Sequence, residues 1–429
     1  MIKMNTVKEL KSFLLLWSSQ AVSSLGTAMT EYALIVWVYR QEGTALSITL
    51  LTLCSFAPTI LFRFVAGAIA DRWNKKRIML AADLFAAGGT FSVYLLYTFS
   101  ILRVWHLYLI NILLSFMNAF QEPAAFVATS LLVPKEQYTR AGGLQGFSGA
   151  AVSILAPALG AGLLALGGLK VVLICDLCSF FLAFIILLLF IRIPKGEVTK
   201  KEQKEPFRKT CAEGFRFLRS HTVLLRLILF MTGVNFLAKM GNDGLLSPFV
   251  LARTGDNQQV LGAVQSFVAL GVMAGSLAVT WMKPVKNRLK LIGISTALVF
   301  LMNIFQSLSR QPAVWCAAAF GSYAMAAIMN AHMTAFMREQ IPMELQGRVF
   351  SAESTLKNCA IPLGLFLSRA LADHVFEPLM ISDSPLQRWL IPLFGEGMGA
   401  GIAVQFFMMG ILGIALCLFY LKIEDDSRT

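Results

Sequence analysis

Gly67-Ala-Ile-Ala-Asp71-Arg72-Trp-Asn-Lys75-Lys76-Arg77 is a charged hinge set between two long apolar runs. Four cations and one carboxylate sit where one hydrophobic segment ends and the next begins, so the stretch lies at a membrane surface. Lys and Arg of short loops collect on the cytoplasmic side of a bilayer, which predicts the surface as well. The hinge reads as an inner loop of a protein that crosses the membrane repeatedly.

Working outward, the chain has 429 residues, 57% hydrophobic and 14% charged, with mean hydropathy +0.68. A soluble domain carries roughly 25% charged residues. Twelve apolar runs recur: 13–39, 47–70, 78–98, 105–131, 142–167, 170–192, 222–252, 258–282, 289–308, 312–337, 348–372 and 398–421. Backbone groups in lipid must be satisfied within the segment, and these runs are too long for barrel strands, so they are expected to be helices. The Lys-bearing N-terminus leads into an apolar run too long for a signal peptide and lacking a small-residue cleavage site.

The formal charge of +13 belongs to topology. With twelve spans and both termini inside, the predicted inner segments carry 26 of the 37 Lys and Arg, and the outer loops six. That excess favours an anionic inner leaflet of the plasma (inner) membrane and asks for no nucleic-acid partner. Seven scattered cysteines, four dispersed histidines and the absence of a G-x-x-x-x-G-K-[ST] loop leave no seat for metal, cofactor or ATP chemistry. An enzyme is the reading least supported.

One long hydrophilic stretch, Pro194 to His221, divides the chain into 1–193, 194–221 and 222–429. Phe207, Cys211, Phe215 and Leu218 fall near helical spacing among cations, predicting a surface helix on the inner leaflet. The flanking halves echo each other at an offset of 208. Gly67, Trp73 and Lys75 recur as Gly275, Trp281 and Lys283, and Pro134-x-Glu136-x-x-x-Arg140 recurs as Pro342-x-Glu344-x-x-x-Arg348. A parallel repeat of six spans is the arrangement of a secondary transporter whose site lies between the halves.

Polar residues inside lipid are expensive and mark cavities or helix contacts. Gln20, Ser24, Thr27 and Glu31 fall on one face of span 1, and Asn111, Ser115, Asn118 and Glu122 repeat that spacing in span 4. Span 7 carries Thr232, Asn235, Lys239 and Asn242 beside Asp243, and span 10 carries Tyr323, Asn330 and Thr334 beside His332. These are the expected linings of a central substrate cavity. Glu31, Glu122 and Asp243 are the carboxylates a proton could load as access alternates, with His332 a candidate relay. A Lys239–Asp243 pair and ion pairs to Arg63 or Lys357 are the structural alternatives. Asp83 is expected to pair with the hinge cations, and Asp176 to cap or pair near the outer end of span 6. Gly67, Asp71, Arg72, Arg77 and Arg348 form a candidate cytoplasmic gate, in which Asp71 meets the positive N-terminus of span 11 and Arg348 beside it.

These residues resemble a known family. Gly67-x-x-x-Asp71-Arg72-x-x-Lys75-Lys76-Arg77 is similar to the loop between helices 2 and 3 of the major facilitator superfamily. Ala156-Pro157-x-x-Gly160-Ala161 resembles the helix-5 motif of its exporters. Ala82-Asp83-Leu84, Leu131-Leu-Val-Pro-x-Glu136-Gln137, Ile191-Arg-Ile-Pro-Lys195 and Gly347-Arg348-Val-Phe-Ser351 are similar to the drug:proton antiporter branch that contains macrolide pumps. The segment Asp373 to Gly397 is longer and looks more like relatives associated with exporting siderophores or non-ribosomal peptides. The resemblance implies an all-α, twelve-helix membrane protein acting as a monomer, which exports an amphipathic small molecule against protons by rocking. Lipid or lysolipid movement, uptake by symport, and a transport-dead sensor or scaffold remain the alternatives.

Overall fold

The computed structural model describes residues 10–42, 45–194, 207–283, 285–382 and 384–426, and every regular element among them is helical. The first half begins with α1 (Lys11–Glu42), α2 (Ala45–Arg72), α3 (Lys75–Thr98) and α4 (Val104–Leu132). Tyr138–Ile185 follows and breaks at Gly167 and Gly168. Gly168 sits at φ +68°, where a side chain would be strained, so the segment turns there into α5 (138–166) and α6 (169–185). After α7 (Phe207–Ser220) come α8 (Thr222–Met240) and α9 (Asn242–Thr254), two pieces of one span parted at Gly241. The second half continues with α10 (Gln258–Trp281), α11 (Arg288–Leu308), α12 (Pro312–Gln340), α13 (Gln346–Leu371), the short α14 (Glu377–Ile381) and α15 (Pro385–Phe394), and α16 (Ala400–Asp426).

All twelve predicted spans fall on these helices. Nine helical stretches among the described residues are long and apolar enough to cross a bilayer, and one of them, Lys135–Phe190, holds both α5 and α6. Their outward faces carry large apolar side chains such as Leu166, Phe366 and Phe419. Such faces suit a solvent of lipid chains, so this is a multi-pass membrane protein. Prolines 58, 123, 157, 248 and 362 lie inside helices, where neighbouring helices can satisfy the freed carbonyls.

Two compact units are present. The first holds the described residues of Met1–Ala141, Ala151–Ser220 and Met337–Thr355, and the second those of Gly142–Ala150, His221–Phe336 and Leu356–Thr429. In the first, Val38, Leu107, Val172 and Leu173 centre an apolar core. In the second, Phe249, Trp315 and Phe406 do so.

The echo at 208 has a structural counterpart in two turns. Lys135–Gln137 and Met343–Leu345 are both single 3-10 turns, each preceded by proline. Gln137 N donates to Pro134 O at 2.9 Å and Leu345 N to Pro342 O at 3.0 Å. The first residue of each following helix then reaches back eight positions: Tyr138 Oη donates to Ser130 O, and Gln346 Nε2 to Arg338 O, both at 3.1 Å. Pro134 and Pro342 removed a donor and fixed φ at equivalent places, and the same turn formed twice.

Candidate functional site

The first unit holds a partly open cavity of about 410 Å³ lined by α1, α2, α3, α4 and α6. Gln20, Ser24, Thr27 and Glu31 line it from α1, and Asn111, Ser115, Asn118 and Glu122 from α4. Residues spaced i, i+4, i+7 and i+11 share a helix face, and the two polar faces meet at this cavity. Part of the α4 stripe also holds helices together. Asn111 Oδ1 accepts from Ser55 Oγ at 2.8 Å, and Ser115 Oγ accepts from Thr59 N at 3.1 Å, tying α4 to α2.

Four carboxylates stand on the cavity wall, and they have different partners. Glu122 is ion-paired with Arg63 of α2, whose Nη1 also donates to Ser354 Oγ of α13 at 2.7 Å. Asp83 does not find hinge cations as expected. It accepts from Gln121 Nε2 at 2.7 Å and Gln20 Nε2 at 3.3 Å, because α3 turns it toward α1 and α4. Asp176 is 1% exposed and lies two turns into α6, where its Oδ2 accepts from Thr30 (2.9 Å) and Thr90 (3.1 Å). It is held by neutral hydroxyls of α1 and α3 and is no helix cap. Glu31 faces the cavity directly.

The expected linings from the second unit are held otherwise. Asn235 Nδ2 donates to Lys357 O at 3.1 Å and Thr232 Oγ1 to Leu356 O at 3.2 Å, so this part of the span 7 stripe binds α8 to α13. Lys239 packs beside Gly364, and the side chains of Asn242 and Asp243 lie outside the described residues. On α12, Tyr323 and Thr334 are half-buried and Asn330 is exposed. His332 is 1% exposed, and neither ring nitrogen has a hydrogen-bond partner among the described residues.

At the hinge, Gly67 is where α2 and α13 touch. A Cβ there would run into Ser351 Oγ and lie 2.5 Å from Gly347 O, so only glycine allows this approach. Asn74 caps α3 by accepting from Arg77 N at 3.2 Å, and the Arg77 side chain is exposed. Lys76 Nζ donates to Leu188 O (2.9 Å) and Ile191 O (2.8 Å), so it caps the end of the α6 segment as well as carrying charge. The side chains of Asp71 and Arg72 lie outside the described residues. Arg348, 4% exposed, is paired with Glu213 of α7. α7 was expected to rest on lipid; it packs on protein instead, against α2 and, at Gly214, against Arg348 of α13, with Leu218 buried.

The Major Facilitator Superfamily model matches residues 16–365. Macrolide efflux protein A of Streptococcus pyogenes is 29% identical over 373 residues, covering 85% of this chain and 90% of its own. Multidrug efflux pump Tap of Mycolicibacterium fortuitum is 23% identical over 370 residues, covering 84% and 89%. Among solved structures, a bacterial homologue of the iron transporter ferroportin superposes with TM-score 0.66 at 13% identity, covering 95% of this chain and 99% of its own. The E. coli fucose:proton symporter superposes with TM-score 0.66 at 10% identity, covering 96% and 99%. These distant structures speak for the fold alone.

Proposed function

The chain belongs to the Major Facilitator Superfamily, and we propose that it exports an amphipathic small molecule, of macrolide-like size and polarity, by proton antiport. The transporter works as a monomer in the inner membrane with both termini in the cytoplasm. The observation that carries this reading is the cavity of the first unit, where two predicted polar stripes converge around carboxylates set among apolar side chains such as Leu114 and Phe180. Such a wall takes up a molecule with one polar and one apolar face. Similarity to efflux proteins supports the outward direction.

Glu122 is the proposed proton carrier. A proton arriving there neutralises the carboxylate, and Arg63 loses its ion-pair partner within the same unit. Arg63 also holds Ser354 of α13, so the proton reaches the α2–α13 contact one turn before Gly67. Glu31 faces the same cavity and takes the substrate's polar end. The gate is the α2–α13 contact at Gly67, with Arg348 fixed by Glu213.

Efflux from energised cells across a panel of macrolides, siderophores and peptides, with and without a protonophore, tests the reading. Export of at least one class that collapses with the protonophore is the expected result. Gradient-driven accumulation inside the cell would point to uptake by symport and contradict it.

A further inference from the structure

We propose that Arg338, at the end of α12, is a gating residue, whose guanidinium seats on the rings of Phe126 and Tyr138 and leaves that seat once per transport cycle. The inference rests on the transporter reading above, but it concerns a different contact from the Gly67 hinge.

The seat is well defined. Arg338 is 3% exposed, with Cζ 4.0 Å from the centroid of Phe126 and 5.9 Å from that of Tyr138. The other partner of Phe126 is Phe350 of α13, stacked at 3.8 Å between centroids and 18° between planes. Tyr138 is fixed by its hydrogen bond to Ser130 O. The backbone at Arg338 is fixed by Gln346, whose Nε2 donates both to Arg338 O and to Ile341 O. Rings from α4 and α5 thus seat a cation supplied by α12, and a ring of α13 stacks on the first of them.

The chemistry of the seat is unusual for a buried guanidinium. Nε and Nη1 have no hydrogen-bond partner among the described residues. The attraction on display is cation–π, which does not replace the hydrogen bonds those N–H groups make in water. Static packing has no use for that arrangement, since an apolar chain of similar length would stack on the same rings without burying N–H groups. Release changes the comparison. A guanidinium leaving the rings is hydrated at once, whereas an apolar chain leaving them is not, so the charge makes the contact reversible. The position equivalent to Arg338 in the first half is Ser130, 208 residues earlier, so the clasp is one-sided.

A thiol introduced by Ser130→Cys, beneath the clasp, reports its opening through labelling by an impermeant maleimide in inside-out vesicles, read above the native cysteines. Arg338→Met should slow labelling about tenfold, the order of one hydrogen bond to a charged group that the guanidinium regains from water on leaving and a thioether does not, without lowering thermal stability. Phe126→Leu, which removes a ring, should speed it. A residue with a purely structural role would change stability and leave labelling in step with it. Equal labelling with arginine and methionine at 338, or no change with Phe126→Leu, overturns the proposal. If Arg338→Met fails to fold, the Phe126→Leu arm decides alone. The readout needs no substrate, so opening without any efflux would count against the transporter reading and leave the clasp standing.

Discussion

Arg63 and Glu122 are ion-paired across α2 and α4, and Arg63 carries a second bond onward to Ser354 of α13. A carboxylate on the cavity wall is therefore connected, through one guanidinium, to the helix that packs on the hinge. Proposed proton loading and proposed gating share a side chain.

The pair predicts a specific non-additivity. Glu122→Gln alone leaves a half-buried guanidinium without its anion, and Arg63→Gln alone leaves the carboxylate without its cation. Each single change should cut uphill transport about tenfold or more, a loss of at least about 1.4 kcal/mol in transition-state terms. The double substitution should be no worse than either single, which sets the coupling at about 1.4 kcal/mol or more. Additive losses would show that the two residues act separately.

Gly67 makes a packing prediction. Gly67→Ala places a methyl group against Ser351 and Gly347 and should destabilise the protein by about 1–3 kcal/mol. Ser351→Ala in that background removes the hydroxyl, one of the three crowding atoms, and should restore part of the loss. Thermal unfolding in detergent reads both, and an unaffected Gly67→Ala would mean that the helices do not approach this closely.

For Lys76, charge and capping separate cleanly. Lys76→Met should lower stability by about 1 kcal/mol through the loss of the cap on Leu188 and Ile191, with topology unchanged by thiol labelling. A shift in topology at constant stability would assign the residue to orientation alone.

Asp176 depends on two threonines. Thr30→Val and Thr90→Val each remove one donor to a carboxylate that is 1% exposed, and each should cost about 1–3 kcal/mol. The same substitutions in an Asp176→Asn background should cost less. Equal losses in both backgrounds would mean the hydroxyls are not serving the charge.

Much of this was legible from the residues, and the omissions share one cause. Lipid demands about 20 apolar residues per span, so the twelve helices stood out. Helical periodicity then placed Gln20 through Glu31 and Asn111 through Glu122 on faces that do meet at one cavity. Periodicity gives a face but no partner. Asp83 was misassigned because its amide donors lie 63 and 38 residues away, on other helices. The apolar side of α7 suited lipid and protein equally, and only the fold chose protein. Nothing beside Arg338 in the chain foretells the rings of Phe126 and Tyr138 that seat it, since they come from two other helices. The paired turns at Pro134 and Pro342 were readable because proline restricts the backbone locally, with no help from distant contacts.

Proton antiport through Glu122 is the central claim, and proteoliposomes test it most directly. With an imposed pH gradient, uphill movement of a macrolide and the accompanying proton flux are recorded together for wild type and Glu122→Gln. Coupled fluxes are expected in the wild type, with uphill substrate movement abolished by a protonophore, and substrate exchange without substrate-dependent proton flux in Glu122→Gln. Uphill transport that persists through both the protonophore and the substitution would contradict it.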